Sequence, residues 1–333
     1  LKKTVRWVVG IVLGVYIGTI VLLNIPNIQQ AMSVFVAEEL SEVLNTKVVI
    51  GRINMGLLNR IIIDDVLLDD QSGQEMLKVT RLSAKFDIMP FFKGKISISS
   101  VQLFGFNINL RKETPDSPPN FKFVLDAFAS KDTVKKENSL DLRINSILIR
   151  RGRMSYHVLS EEETPGKFNA KHIQLQNIIA NISLKALSKD SLNLGIKRLS
   201  LDEKASGFSL KKMSLKLVAN NKQTNIDNFT IELPETSLKL DTIHLEYDSL
   251  KAFDRFTEQV HFSFRTLPSQ VTLKDISPFV PILSHFKEPV TLDMEVKGTV
   301  DQLTCSHLEI TADDRQFRLR GDVSLQDLSR PQD

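Results

Sequence analysis

The sequence predicts a mainly β protein: an N-terminal transmembrane helix and a short amphipathic helix, followed by an elongated antiparallel sheet that curls into an apolar groove. Three observations support this fold class: a long apolar segment near the start, an amphipathic segment directly after it, and a strand pattern that recurs from residue 47 onward. We place the transmembrane helix at residues 1–24, the amphipathic helix at 25–46 and the β-groove region at 47–333. A hydrophobic content of 42% excludes a fully disordered chain.

The first helix is predicted by the uncharged segment WVVGIVLGVYIGTIVLL at residues 7–23, which comes close to spanning a hydrocarbon core of about 30 Å. Lys2, Lys3 and Arg6 precede it and no charge follows before Glu38, so we expect the N-terminus in the cytoplasm and the remainder exported. A cleaved signal peptide is the alternative, with the same exported location. The anchoring side chains are Trp7, Val8, Ile11, Leu13, Tyr16, Ile20, Leu22 and Leu23.

The second helix is predicted by PNIQQAMSVFVAEELSEVL at residues 26–44, where apolar residues recur at helical spacing after Pro26. Such a helix either lies on the bilayer surface or plugs the end of the β domain. Because Glu38, Glu39 and Glu42 would be repelled by anionic lipid, the plug is favoured.

The β region repeats one template: apolar, any, apolar, polar, polar, apolar, any, apolar, with Gly counted as polar. Near matches begin at Thr224 and Val271, and composition alone predicts about three matches in a chain of this length. Brief helical interruptions are expected at residues 120–129 and 277–286. The ten full matches begin at Val48, Ile61, Leu77, Ile96, Leu142, Ile173, Leu194, Phe208, Leu238 and Leu303.

Two polar residues between two apolar pairs keep all four apolar side chains on one face only if the strand carries a β-bulge or a sharp bend there. If neighbouring strands bend at the same place, the sheet folds into a trough with its apolar face inside. A closed β-sandwich core is the alternative that periodicity leaves open. The residues predicted to line the groove are Ile61, Ile63, Ile96, Ile98, Val101, Leu103, Leu142, Ile144, Ile147, Ile149, Leu210, Met213 and Leu215.

No catalytic residue, metal site or cofactor is predicted. The six histidines are scattered, and the pair Cys305 and His307 has no third group that would orient it. The acidic pairs at positions 64/65, 69/70 and 313/314 are interpreted as solvated turn or bulge residues rather than calcium ligands, and the run Arg150, Arg151, Arg153 as a charged rim rather than a phosphate site. A net charge of +3 without a basic, aromatic groove argues against a nucleic-acid partner.

The order of these elements resembles the N-terminal region of the AsmA-like proteins, most closely their TamB branch (translocation and assembly module). The resemblance is strongest over residues 1–156 and continues as a looser β-repeat; it includes no catalytic signature. It is carried by the anchor, the amphipathic helix and the segments VVIGRINMGLLNRIIIDDVLLDD, QEMLKVTRLSAKFDIMPFFKGKISISSVQLFGFNINL and LDLRINSILIRRGRMSYH.

The resemblance implies an inner-membrane anchor, a periplasmic β-groove in a Gram-negative bacterium, and a role in moving phospholipids to the outer membrane. The expected partners are phospholipid acyl chains, the inner membrane and an outer-membrane β-barrel reached through a C-terminal region that this chain lacks, so we expect a truncated chain. An assembly scaffold for outer-membrane proteins, which pairs their strands along an exposed sheet edge, is the alternative. A polysaccharide enzyme is a third reading, without the charged cluster it requires.

Overall fold

A computed structural model describes residues 2–56, 59–87, 96–129, 140–141, 145–187, 191–312 and 317–326. The chain divides into two compact units, Leu1–Glu162 (unit 1) and Glu163–Asp333 (unit 2). Each unit is built around strands whose registers place apolar residues opposite one another.

Unit 1 begins with two helices and continues as strands. The bend between the helices follows Asn24, and Pro26 occupies the first turn of the second helix, where its missing N–H costs nothing. The described elements of unit 1 are α1 (Lys2–Leu23), α2 (Pro26–Leu44), β1 (Val48–Gly56), β2 (Arg60–Asp69), β3 (Glu75–Phe86), β4 (Ile96–Lys112), α3 (Lys122–Ala129), β5 (Leu140–Asp141) and β6 (Ser146–Val158).

The strands β1 to β4 pair in sequence order and antiparallel, as expected. The expectation of a wholly antiparallel sheet is wrong for β4, which pairs in parallel with β5 and β6. A parallel pair requires a connection that returns the chain to the same end of the sheet. The segment between β4 and β6, which contains α3, is this connection.

Helix α2 covers the free side of β1 and the apolar face beside it. Ser41 Oγ accepts a hydrogen bond from the Val48 N–H at 3.0 Å, and Asn24 Nδ2 donates to the Met55 carbonyl at 2.9 Å. These bonds satisfy backbone groups that an edge strand would leave open. The preferred prediction, a helix that plugs the end of the β domain, agrees with this packing. The surrounding core contains Leu44, Val48, Ile50, Ile53, Leu68 and Met76, with Met32, Val36, Leu40, Phe121, Phe123 and Val124 packed against it.

Unit 2 is a series of antiparallel strands with two short helical insertions. Its described strands are β7 (His172–Leu187), β8 (Ser191–Glu203), β9 (Ser209–Asn220), β10 (Gln223–Glu232), β11 (Ser237–Leu240), β12 (Ile243–Glu246), β13 (His261–Arg265), β14 (Ser269–Val271), β15 (Val290–Gly298), β16 (Gln302–Ala312) and β17 (Phe317–Gln326).

Two positions in the unit 2 sheet are each filled by a broken strand. β11 and β12 lie end to end along β10, and β13 and β14 lie end to end along β15. The Asp241–Thr242 break falls on the polar pair of the repeat that begins at Leu238. A sharp bend therefore replaces the bulge at this repeat.

The helical insertions agree only partly with the prediction. Helix α3 lies within the predicted range 120–129, and a 3₁₀ helix at Pro281–His285 lies within 277–286. The 3₁₀ helix Leu250–Arg255 and the one-turn helix α4 (Phe256–Gln259) were not predicted. The near match at Val271 is wrong as a strand repeat, because Leu273–Ile276 is 3₁₀ helix.

Within the described residues, no single helix is long and apolar enough to cross a membrane. The segments Leu13–Leu23 and Pro26–Leu44 meet the requirement together and are bent by 72° at their junction. The transmembrane anchor at residues 1–24 stays a prediction.

Candidate functional site

A row of bend residues crosses five strands of unit 1. The registers on both sides of each position place them opposite one another, although these positions themselves are not paired. The bends therefore line up across the sheet, and the repeat predicts three of them, those in β1, β2 and β3. The bend row consists of Gly51 in β1, Asp65 in β2, Thr80 in β3, Gly105 in β4 and Arg151 in β6.

Alternate strands achieve the bend with left-handed backbone. The φ angles are 54° at Asp65, 65° at Gly105 and 55° at Arg151. Gly105 is required for a second reason, because a Cβ there would lie 2.7 Å from Thr80 Oγ1. The left-handed residues lie in every second strand of the sheet, and the strands between them have regular backbone at this row. This arrangement allows each strand to gain one residue while its pairing on either side of the row stays the same.

Four apolar rows flank the bend row, two on each side, and all lie on one face. The rows on the side nearer the α1–α2 junction are Ile53, Ile63, Leu82, Leu103 and Ile149, and then Met55, Ile61, Ala84, Val101 and Ile147. The rows on the other side are Ile50, Val66, Val79 and Phe106, and then Val48, Leu68, Leu77, Ile108 and Met154.

These rows bring together six of the predicted lining residues, which lie in β2, β4 and β6. They are Ile61, Ile63, Val101, Leu103, Ile147 and Ile149. Ile98 lies beyond a β-bulge in β4. Lys85 pairs with Ser100 and the next residue, Phe86, pairs with Ile98, so Ser99 is the extra residue. This bulge is the one that the repeat at Ile96 predicts. Leu142, Ile144 and the side chains of Ile96 and Val8 lie outside the described residues.

Burial falls from the first strand to the last along the row that begins at Ile53, whereas Val79 and Phe106, in the row that begins at Ile50, are buried at 4% and 8% exposure. Ile53 in β1 is 5% exposed and lies in the core beneath α2. Leu103 and Ile149, in the same row on β4 and β6, are half-buried. A sealed two-layer core buries such side chains almost completely. The row that begins at Ile53 is therefore covered at one end by a helix and less buried farther along.

Unit 2 makes the same change of face with true bulges. In β7, Asn177 and Ile178 together oppose Leu201; in β10, Asn228 and Phe229 together oppose Leu215. Asn177 and Asn228 have φ angles of 54° and 55°. Asn tolerates the left-handed region better than most residues because its short polar side chain bonds locally.

The predicted lining residues of β9 lie in apolar rows of unit 2. Met213 is opposite Leu199 and Ile231, and Leu215 is opposite Ile196. Leu210 is opposite Leu201 but is 8% exposed, so it belongs to the buried end of the strand. Met213 and Leu215 are half-buried, like the unit 1 rows.

A line of bends also crosses the strands β10 to β17. Thr242 Oγ1 donates to Asp227 Oδ1 at 2.9 Å across the break between β11 and β12. The Thr266 N–H donates to the Met294 carbonyl at 3.0 Å, beside the break between β13 and β14. His307 in β16 has a φ of 58°, and its N–H donates to Asp322 Oδ1 at 2.9 Å.

Sequence reasoning missed the bends at Gly105 and Arg151. In VQLFGFNI, Phe104 occupies a slot that the template requires to be polar; in ILIRRGRM, Gly152 occupies an apolar slot. Phe104 lies on the outer face, 38% exposed, with the Arg151 guanidinium 5.2 Å from its ring centroid. The glycine alone was the available signal in β4.

The Cys305 thiol is not placed for nucleophilic chemistry. It is 7% exposed between Val296 and Val323 in an apolar row. Burial raises its pKa, and the nearby Asp322 carboxylate raises it further, so the thiol form is favoured at neutral pH. His307 is the left-handed bulge residue and is exposed.

Asp70 corrects one prediction, because it is buried rather than solvated. It is 2% exposed and accepts hydrogen bonds from the Ser72 hydroxyl at 2.6 Å and from Asn120 Nδ2 at 3.1 Å, with Arg111 at 2.7 Å. Burial alone would raise its pKa, but the hydrogen bonds, including backbone N–H groups of Gln74 and Ser72, lower it below the ordinary value.

Glu203 holds the turn after β8 in the same way. It is 3% exposed and accepts bonds from the Gln174 N–H at 3.0 Å, from the Ala205 N–H at 3.2 Å and from the Ser206 N–H and hydroxyl. Burial opposes ionisation, yet these donors lower its pKa. Asp65 lies in the bend as predicted, and the pair at 313/314 falls outside the described residues.

The geometry defines a class: bent β-sheets that carry aligned apolar rows on one face, with a helix over the first strand. Neither the protein-family models nor the curated proteins that were compared with this chain give a match. The resemblance to the AsmA-like proteins therefore stays a prediction.

Proposed function

We propose that this chain is the membrane-anchored, N-terminal part of a periplasmic lipid conduit of the AsmA-like type, TamB branch, which supports phospholipid transport to the outer membrane. Acyl chains lie along the apolar rows while headgroups stay in water at the open side. The proposed role is transport without covalent chemistry, and it uses no metal or cofactor.

One observation carries the proposal: the apolar rows through Leu103 and Val101 stay in register across successive strands yet are only half-buried in β4 and β6. Each methylene removed from water contributes about 0.8 kcal/mol, so an open apolar strip attracts lipid chains strongly. Five strands at about 4.8 Å make a continuous strip about 19 Å wide in unit 1 alone. An aligned bend shelters such a strip on the concave side of the sheet.

The first helix supports an anchored location. Its apolar side chains are largely exposed, with Trp7 at 74%, Ile11 at 62% and Leu22 at 54%. Exposure of so many large apolar groups on one helix is typical of a segment that contacts lipid. Charged Lys2, Lys3 and Arg6 before the helix favour a cytoplasmic N-terminus.

Photocrosslinking at adjacent positions tests the conduit. Leu103 belongs to an apolar row, whereas its neighbour Gln102 lies on the opposite face and accepts a hydrogen bond from Arg60. A photoreactive residue at Leu103 is expected to capture phospholipid in cells, and the same residue at Gln102 is not. Equal lipid capture at both positions, or none at Leu103, would contradict the proposal.

Charge substitution gives a functional test with a matched control. Ile147→Asp places a carboxylate in the apolar strip and is expected to lower lipid transfer at least tenfold, because chains would have to pass a desolvated charge. Ser146→Asp places the same charge on the other face of the same strand and is expected to leave transfer unchanged. Normal transfer by a folded Ile147→Asp variant would refute the conduit.

The second candidate, an assembly scaffold for outer-membrane β-barrel proteins, is favoured by the edge strand β17. Among the described residues, β17 pairs with β16 alone, and its apolar residues Phe317, Leu319 and Leu325 are 39–54% exposed. An exposed edge with alternating apolar residues accepts an added strand. Crosslinks from Leu319 to client protein, with no lipid captured at Leu103, would favour this role over the conduit.

A further inference from the structure

The outer face of unit 1 is strongly basic in the half of the sheet next to α1. This anchor-side half comprises residues 51–56, 60–65, 80–86, 96–105 and 145–151 of the five strands. Its charge of six minus two, or +4, exceeds the +3 of the whole chain. The basic residues are Arg52, Arg60, Arg81, Lys85, Arg150 and Arg151, and the acidic ones are Asp64 and Asp65.

The registers organise these charges into a ladder. Arg52 is opposite Asp64, Asp64 is opposite Arg81, and Phe104 links Arg81 to Arg150. All five side chains alternate with the apolar rows, so they point to the opposite face of the sheet. We call this surface the arginine ladder.

Two neighbouring contacts orient further arginines on the same face. Arg60 Nη1 donates to Gln102 Oε1 at 3.3 Å, and the Arg151 guanidinium lies over the Phe104 ring. Arg81 Nε is 2.6 Å from Asp64 Oδ1. Because a guanidinium carries five N–H donors, one contact orients it and leaves donors for a second anion.

The ladder begins beside the end of α1. Asn24, the first residue after α1, donates through Nδ2 to the carbonyl of Met55 at 2.9 Å. Arg52 is three residues farther along β1, which is about 10 Å. A charge at this distance from a bilayer surface still lies within about one Debye length of its headgroups.

We propose that the arginine ladder docks on anionic phospholipid headgroups of the membrane that α1 enters. The proposal rests on the anchored location proposed above. Arginine outnumbers lysine five to one on this surface, and guanidinium matches phosphate oxygens in bidentate geometry. Continuity with the anchor favours a lipid surface over an acidic protein, which has no reason to be held beside α1.

A fluorescence experiment on the full chain tests the docking. The only cysteine is changed by Cys305→Ser, and Thr80→Cys introduces a label at an exposed bend position beside Arg81. The chain is reconstituted into vesicles of phosphatidylcholine, alone or mixed with phosphatidylglycerol, that contain a headgroup nitroxide quencher. We expect quenching in the mixed vesicles, loss of quenching at high salt, and little quenching in phosphatidylcholine alone.

The triple variant R52Q/R81Q/R150Q is expected to lower the docking equilibrium constant by on the order of 100-fold, since each basic residue near an anionic surface contributes about one factor of five. The matched control K216Q/K222Q/K239Q removes three exposed charges from unit 2 and is expected to change nothing. A label at Ser237→Cys in unit 2 serves as the reporter control.

Equal quenching in both vesicle types, or in the triple variant, would overturn the proposal. The proposal would also be overturned if anionic lipid did not quench the fluorescence of the label while added polyglutamate shielded the label from solvent. That result would assign the face to an acidic protein. Retention of the chain after alkaline carbonate reports on the anchor, and lipid capture at Leu103 reports on the conduit. Failure of docking with both of these intact would refute the ladder alone.

Discussion

The two units turn the same sequence pattern into different backbone devices. In unit 1 each of the five strands contributes one extra residue to a common row, so pairing is unchanged on both sides of Asp65 and Gly105. In unit 2 the extra residues are offset, and pairing shifts by one at Asn228 and His307. The sequence pattern therefore specifies that the apolar side chains stay on one face. The pairing with neighbouring strands determines whether a shared row of extra residues or a β-bulge achieves this.

The two units also hold comparable turns with different charges. The turns after β2 and β8 each contain a buried carboxylate and a left-handed glycine, with φ of 77° at Gly73 and 78° at Gly207. Asp70 has Arg111 as a cationic partner, whereas the hydrogen-bond donors of Glu203 are neutral N–H and O–H groups. The difference in backbone device and the difference in turn charge each predict a measurable effect on stability.

The largest expected effect is at the shared row of unit 1. Gly105→Val should lower the free energy of unfolding by about 3 kcal/mol or more, because a β-branched residue at φ 65° would also press on Thr80. Chemical denaturation measures it. Gly195→Ala in unit 2 is the control: its close contact is the Ser183 hydroxyl, which can rotate, so the cost should stay below about 1 kcal/mol. Similar losses at both glycines would contradict the special cost of a side chain at the left-handed Gly105 position.

The buried carboxylates come next. Asp70→Asn should cost about 3 kcal/mol at pH 7, because it leaves Arg111 without its anion; Glu203→Gln should cost about 1–2 kcal/mol. Both folded pKa values are lowered, so the stabilisation is complete above the unfolded values near 4 and is lost as pH falls through the folded values. Unfolding measured from pH 7 to pH 3 should show the variants approaching the wild type in acid. A difference that stays constant with pH would mean that folding does not lower the pKa of either carboxylate.

The smallest effect is a gain in stability. His307→Gly should raise the free energy of unfolding by about 1 kcal/mol, since glycine adopts φ 58° without strain and the backbone bond to Asp322 remains. Arg151→Gly should gain less, because the contact with Phe104 is lost. Thermal unfolding of both variants, with His307→Val as a destabilised control, checks the order. A larger gain at Arg151 would show that its ring contact contributes nothing.

The sequence predicted the strand class, the α2 segment and six row residues of unit 1, because a change of face is written directly in the spacing of Ile61, Ile63, Val66 and Leu68. The sequence could not place the bend at Gly105, because Phe104, which lies on the outer face, occupies a template position that is required to be polar. It also could not give the parallel pairing of β4 with β6, which depends on the path of the connecting segment. The burial of Asp70 depends on Asn120 and Arg111, which are distant in the chain.

The helix over β1 has a consequence for how such a sheet changes in length. Ser41 in α2 bonds to Val48, and Asn24, just before α2, bonds to Met55, so no strand can be inserted beside the first strand without displacing these residues. We expect a duplicated hairpin to be tolerated away from β1, where each new pair of strands extends the existing rows. Evolution can therefore lengthen this architecture stepwise in one direction while its starting point stays fixed.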